Sequence, residues 1–226
     1  PSEIKTQSQT TPTLRYTITM EPHEQQWGLA LDMPISVPSD MRLSPRYQLV
    51  SAKPIDARVR YTVTSQTDYH INPSGLAIAD WQRNTYLSEE VRKSNRRAVA
   101  LGEQLRQQGG DARATSQALL QLYNQQNFYY TLTPPTLGDN WIDGFLFNSK
   151  RGFCEHYAGS YVFVMRAAGV PARVVTGYQG GAYNPTTNYW IVKQSDAHAW
   201  AEIYLDKQGW VRVDPTAMVA PERVEQ

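Results

Sequence analysis

RGFCEHYAGSYVFVMRAAGVPARVVTGY (151–178) is the stretch on which the fold turns. Gly152 permits a tight entry, and a helical apolar pattern then runs from Cys154 to about Ala168. Gly169 and Pro171 stop it, and ARVVTGY resumes with the alternation of a strand. Cys154 is the single cysteine of the chain, which therefore forms no intrachain disulfide. On a helix, Ala158, Tyr161 and Met165 share its face, at i+4, i+7 and i+11. One reading makes Cys154 a small buried hydrophobe. The other makes it a nucleophile, because the unpaired amides and dipole of a helix start favour the thiolate.

A thiolate needs a base and a group to orient that base, and DAHAWAEIYLDKQGWVRVDPT (196–216) carries both. His198 opens one expected strand and Asp214 closes the next, with the turn at DKQG. A three-residue loop of Lys207, Gln208 and Gly209 would set Asp214 opposite Glu202. The carboxylate would then lie about 13 Å along the strands from His198. Direct contact needs a shifted register or a bulge, and such a shift is the expectation. Asp196 is the rival partner, two residues from His198. Glu202 is expected to face solvent or to support its strand, and Asp206 to belong to the turn.

His156 falls about 200° round the helix from Cys154, so it should point away from the thiol. That spacing, with no second cysteine, makes a zinc site from Cys154, His156 and His198 a poor fit. No calcium-loop spacing of carboxylates occurs, and no metal or cofactor is expected. Acyl transfer also needs oxyanion donors. The Cys154 backbone N–H is one candidate, with Trp141 or Tyr130 as a second. Trp200 shares the strand face of His198. Trp141, Tyr157, Trp200 and GGAYNPTTNYW (180–190) could wall a narrow cleft.

Upstream, TLRYTITME (13–21), WGLALDM (27–33), RYQLVS (46–51) and ARVRYTVTSQTDYHI (57–71) alternate as strands, divided by Pro34, Pro38, Pro45 and Pro54. Ser88 is a plausible N-cap for a helix that Gly109-Gly110 ends. Asp111 caps a second helix, with Ala114, Ala118, Leu122 and Tyr123 as its apolar stripe. From 172 onward the pattern is β again. The order gives an α+β fold with a β-rich region over 1–80 and a core over 81–226. A net charge of +1 and 19% charged residues give no reason to expect nucleic-acid binding. No apolar run is long enough to span a bilayer. The polar start without Met suggests a piece of a longer protein.

The blocks GFCEHYAGSYVFVMRAAGVPARVVTGY and DAHAWAEIYLDKQGWVRVDPT resemble the two signatures of the transglutaminase-like superfamily, which has a papain-like fold. The likeness covers roughly 111 to 216. YLSEEVRKSNRRAVALGEQL and the β-rich start are similar to the TgpA type of bacterial membrane protein. The resemblance implies Cys154 as nucleophile, His198 as base and Asp214 as orienting acid. It implies a periplasmic domain of an inner-membrane protein, held to the membrane only by segments outside this stretch. The activity implied is transfer of a glutamine acyl group, from a protein or peptide donor, to a primary amine. A peptidase or amidase of the same fold, acting on peptide or cell-wall amides, is the alternative. An inactive binding domain is a third reading, against which the complete Cys–His–Asp set speaks.

Overall fold

The computed structural model describes residues 4–5 and 13–219. The chain divides into two units, 1–74 and 75–226. In the first, the strands are β1 (Ile4–Lys5), β2 (Thr13–Met20), β3 (Trp27–Gly28), β4 (Pro34–Ser36), β5 (Met41–Leu43), β6 (Leu49–Ser51), β7 (Val59–Gln66) and β8 (His70–Ile71). Sheets of order β2-β7-β4 and β3-β6-β5 are both antiparallel. Met20, Met41, Leu49, Ile55, Tyr61 and Val63 form the core of this unit. The alternation in 13–21 and 57–71 was sufficient to place β2 and β7. The strand expected over 27–33 shrinks to two residues, because Leu29 leaves the ladder to exchange both its backbone groups with the Tyr61 hydroxyl.

The second unit opens with α1 (Ile78–Thr85), α2 (Glu89–Ser94), α3 (Arg96–Gly109) and α4 (Ala112–Gln125). Ser88 caps α2 through the Val91 N–H, and Asp111 caps α4 through the Ala114 N–H. The single helix expected from 88 to 109 is broken at Asn95, whose buried amide accepts the Asp143 N–H at 3.1 Å. The Asp143 carboxylate in turn takes the first free amides of α3, Arg97 N–H at 3.1 Å and Ala98 N–H at 2.8 Å. A partner 45 residues downstream thus caps this helix start. The buried face of α4 is Thr115, Ser116, Leu119 and Tyr123. Of the expected stripe of Ala114, Ala118, Leu122 and Tyr123, Tyr123 is buried and Ala118 and Leu122 pack at the edge of the core, the face being centred one residue, about 100°, further round. Ser116 and Tyr123 are drawn inward by hydroxyl pairs with Tyr161 (2.6 Å) and Ser160 (2.8 Å).

Next come β9 (Tyr129–Tyr130), α5 (Trp141–Asp143), a π-helical turn over Gly144–Ser149, β10 (Arg151–Gly152) and α6 (Cys154–Ala167). Helix α6 is buried almost all round, which matches a sequence apolar on every side. It ends at Gly169, which holds φ +77°. The sheet that follows has the order β11 (Ala172–Tyr178), β14 (Ala197–Leu205), β15 (Gly209–Val213), all antiparallel. Between β11 and β14 stands a separate hairpin of β12 (Ala182–Asn184) and β13 (Tyr189–Ile191). Helix α6, α3, α4 and the inward side of β14 share one core, with Tyr157, Tyr161, Val164, Met165, Ala201 and Ile203 at its centre. Among the described residues, no helix is long and apolar enough to cross a membrane.

Candidate active site

A two-residue parallel ladder, Tyr129 with Arg151 and Tyr130 with Gly152, delivers the chain to the first turn of α6. A Cβ on Gly152 would stand 2.7 Å from the His156 Cβ and 2.9 Å from the Phe145 ring, so only glycine fits there. Cys154 is the first residue of α6 and is 8% exposed. It packs with Ala158 of its own helix, Ala199 of β14, Tyr130 and Phe153. Ala199 is the neighbour of His198, so helix and sheet bring the thiol beside the strand that carries the imidazole.

His198 Nε2 and Asp214 Oδ2 are 2.7 Å apart, with both side chains largely shielded from solvent. The register explains the contact. Leu205 pairs with Gly209 and Ala201 with Val213, so the loop is Asp206–Gln208 and Lys207 takes the left-handed conformation. Asp214 then falls opposite Trp200 rather than Glu202. The gap to His198 shrinks to about two residues of strand, roughly 7 Å between backbones, which the two side chains span. Asp214 lies just past β15 and caps the 3₁₀ turn Pro215–Met218, its Oδ1 accepting the Thr216 N–H at 3.1 Å. With the carboxylate holding Nε2–H, the imidazole has Nδ1 free as an acceptor.

Trp200 lies beneath this pair, its ring 6.3 Å from the imidazole and inclined by 25°. Arg212 covers it at 4.1 Å, and a Cβ on Gly177 would approach the indole to 2.8 Å. At 6% exposure Trp200 is a floor under the histidine and no wall of an open cleft. Tyr130 comes nearer the thiol. Its ring packs against the cluster of Cys154, Ala158 and Ala199. Burial, and then the Cys154 charge, push its ionisation up, so the phenol is held as an O–H donor.

Trp141, the other oxyanion candidate, sits on another side of α6. Its ring packs edge-on to His156 at 5.9 Å and lies 2.8 Å from the point a Cβ on Gly159 would occupy. Tyr157 is fully buried among Tyr123, Phe128 and Phe145, away from any cleft. His156 points away from the thiol, as its helical angle required. It lies among Trp141, Phe145 and Phe153, with Nδ1 3.4 Å from the Phe153 N–H. Asp196 accepts the Lys193 N–H at 2.7 Å in a local turn. Glu202 holds Arg173 at 2.6 Å, in support of its strand.

Two supports went unread in the sequence. The Asp-Pro pair at 214–215 is an N-cap followed by Pro at the first helical position, a signal that the acid is fixed by a turn. Arg212 combines its cover of Trp200 with a 2.8 Å bond to Gln179, which has no sequence signal. Among the described residues, no three His, Cys, Asp or Glu side chains cluster as metal ligands.

A thiol that opens a buried helix, set against a sheet whose nearest strand carries a carboxylate-bound imidazole, defines a transglutaminase-like core. Residues 99–215 match the transglutaminase-like superfamily and residues 1–72 the TgpA N-terminal domain, and the chain belongs to that superfamily. It is 46% identical over 215 residues to the protein-glutamine gamma-glutamyltransferase of Pseudomonas aeruginosa, covering 95% of this chain and 32% of that protein. The chain thus spans about a third of that relative's length. An uncharacterised protein, YebA of Bacillus subtilis, is 38% identical over 89 residues, which cover 38% of this chain and 12% of that protein. Crystal structures of the periplasmic domain of TgpA from P. aeruginosa superpose with a TM-score of 0.90 at 44% identity. The one bound to ethylmercury covers 99% of this chain and 78% of its own, the other 97% and 74%.

Proposed function

We propose that this chain is the catalytic periplasmic domain of a bacterial inner-membrane transglutaminase. It transfers the acyl group of a glutamine side chain to a primary amine through a Cys154 thioester. The observation that carries the reading is the His198–Asp214 pair at 2.7 Å, on the strand that packs against the thiol through Ala199. His198 takes the thiol proton at Nδ1 while Asp214 stabilises the imidazolium. Sγ attacks the glutamine carboxamide carbon, and the negative oxygen is met by the Cys154 N–H and the Tyr130 O–H. His198 then protonates the departing nitrogen, ammonia leaves and the thioester remains. An amine attacks next, His198 accepts its proton, and the carbon–sulfur bond breaks to give a secondary amide and the thiol. No step calls for a cofactor or metal.

The donor is a glutamine in a protein or peptide, and the acceptor an amine such as lysine, with cell-wall peptides among the candidates. Incubation with a glutamine peptide and a fluorescent primary amine, followed by mass spectrometry, tests the reading. An amine adduct made by the native protein and lost in Cys154→Ala supports it. One observation favours water as a rival acceptor. Tyr157 and Trp200 are buried, so two rings expected to wall the cleft do not face it. A product that stays free glutamate at saturating amine would make the protein a hydrolase, and backbone cleavage would make it a peptidase.

A further inference from the structure

The β12–β13 hairpin does little for the core. Among the described residues, its two three-residue strands pair only with each other. Tyr183, Tyr189 and Trp190 are 49%, 59% and 69% exposed, with Ile191 and Val192 exposed beside them. Tyr183 and Trp190 are cross-strand partners with ring centres 5.5 Å apart, so they form one continuous apolar surface. No Asp, Glu, Lys, Arg or His occurs anywhere from 174 to 192. A patch this aromatic, with no charge to keep it solvated, marks a contact surface.

The hairpin is rooted at the site. Gly177 pairs with His198 and Tyr178 with Ala197, and the chain leaves for the hairpin just beyond. Its base is tied down by the Gln179 N–H to the Asp196 carbonyl at 2.9 Å, and by the Tyr178 hydroxyl to Gln194 at 2.8 Å. It therefore projects from the histidine end of the sheet. A polypeptide that brings a glutamine to His198 would meet the root of this hairpin.

We infer that the hairpin is a docking surface for the polypeptide around the acyl-donor glutamine, and that it selects segments with apolar or aromatic side chains and no charge. This rests on the transglutaminase reading, whose own failure shows separately below. Two donor peptides of equal length decide it, one with glutamine flanked by Leu and Phe, the other by Glu and Lys. The native protein should favour the apolar donor by about tenfold in kcat/KM, a difference carried by KM and worth about 1.4 kcal/mol. In Tyr183→Ser/Trp190→Ser the ratio should fall to about one. No preference in the native protein, or a preference that survives in the double variant, overturns the inference.

Calorimetry of the Leu/Phe peptide with Cys154→Ala protein reads docking without turnover. If no glutamine donor is converted, the function reading fails, while peptide binding abolished by the two hairpin substitutions still upholds the docking surface. Binding unaffected by them overturns it. Sedimentation with phosphatidylethanolamine–phosphatidylglycerol vesicles covers the other occupant. Hairpin-dependent lipid binding with an unaltered donor ratio would make the surface a membrane contact and overturn the inference.

Discussion

Helix α6 carries two faces that look alike in composition and differ in what their groups can do. On one side Cys154 meets Ala199 and Tyr130, beside the strand of His198. On the other, His156 is enclosed by Trp141, Phe145 and Phe153. Each face has a histidine and aromatic rings. His198 is bound by a carboxylate that leaves one nitrogen to take a proton, whereas His156 faces rings and its own Phe153 N–H. The partner, and not the residue type, assigns the role. The chemical face should respond to substitution in rate and the aromatic face in stability.

The largest effect tests the chemical face. Cys154→Ala and His198→Ala should each lower amine incorporation by roughly 10⁴-fold or more, with the melting temperature within a few degrees of native. Asp214→Ala should cost less, roughly 10²- to 10³-fold, because the acid only orients and stabilises the imidazolium. Asp196→Ala, which removes a side chain bonded to the Lys193 N–H in a local turn, should leave the rate within a few-fold. A larger loss in Asp196→Ala than in Asp214→Ala, by steady-state kinetics, would undo the division of roles. Tyr130→Phe should lower kcat about 10- to 100-fold with little change in KM, since it removes one oxyanion donor. A faster enzyme in that assay would recast the phenol as a plug over the thiol.

The aromatic face should show the converse. Gly152→Ala drives a methyl group into His156 and Phe145 and should cost about 1–3 kcal/mol in urea unfolding. Folded molecules of that variant should keep most of their turnover per thiol. The smallest effect is a pH dependence. Burial lowers the His156 proton affinity below its ordinary value of 6.5. The unfolded chain therefore binds a proton that the folded one resists. Stability from this residue is complete above about pH 6.5 and declines as pH falls below it. His156→Phe should flatten that part of the urea-midpoint curve between pH 7.5 and 5.5. An unchanged slope would remove His156 from this role.

What the sequence made legible was local. Ser88 and Asp111 announce their helices because a cap acts within three residues, and Gly169 announces the end of α6. The order Cys154, His198, Asp214 was readable because each residue sits at the end of an element whose period is plain. The register joining the last two was not. It depends on Lys207 adopting φ +62°, a conformation that a turn search assigns first to glycine. The Asn95 break was hidden because Asp143, which caps α3, lies far along the chain. The side taken by Trp141 had a signal in Gly159, a glycine inside a helix that leaves room for an indole ring.

The lone thiol at the head of α6 also lends itself to counting. With one sulfhydryl in these 226 residues, every equivalent of thiol-alkylating label taken up by this domain is an equivalent of Cys154. Rates can then be expressed per titrated thiol instead of per milligram.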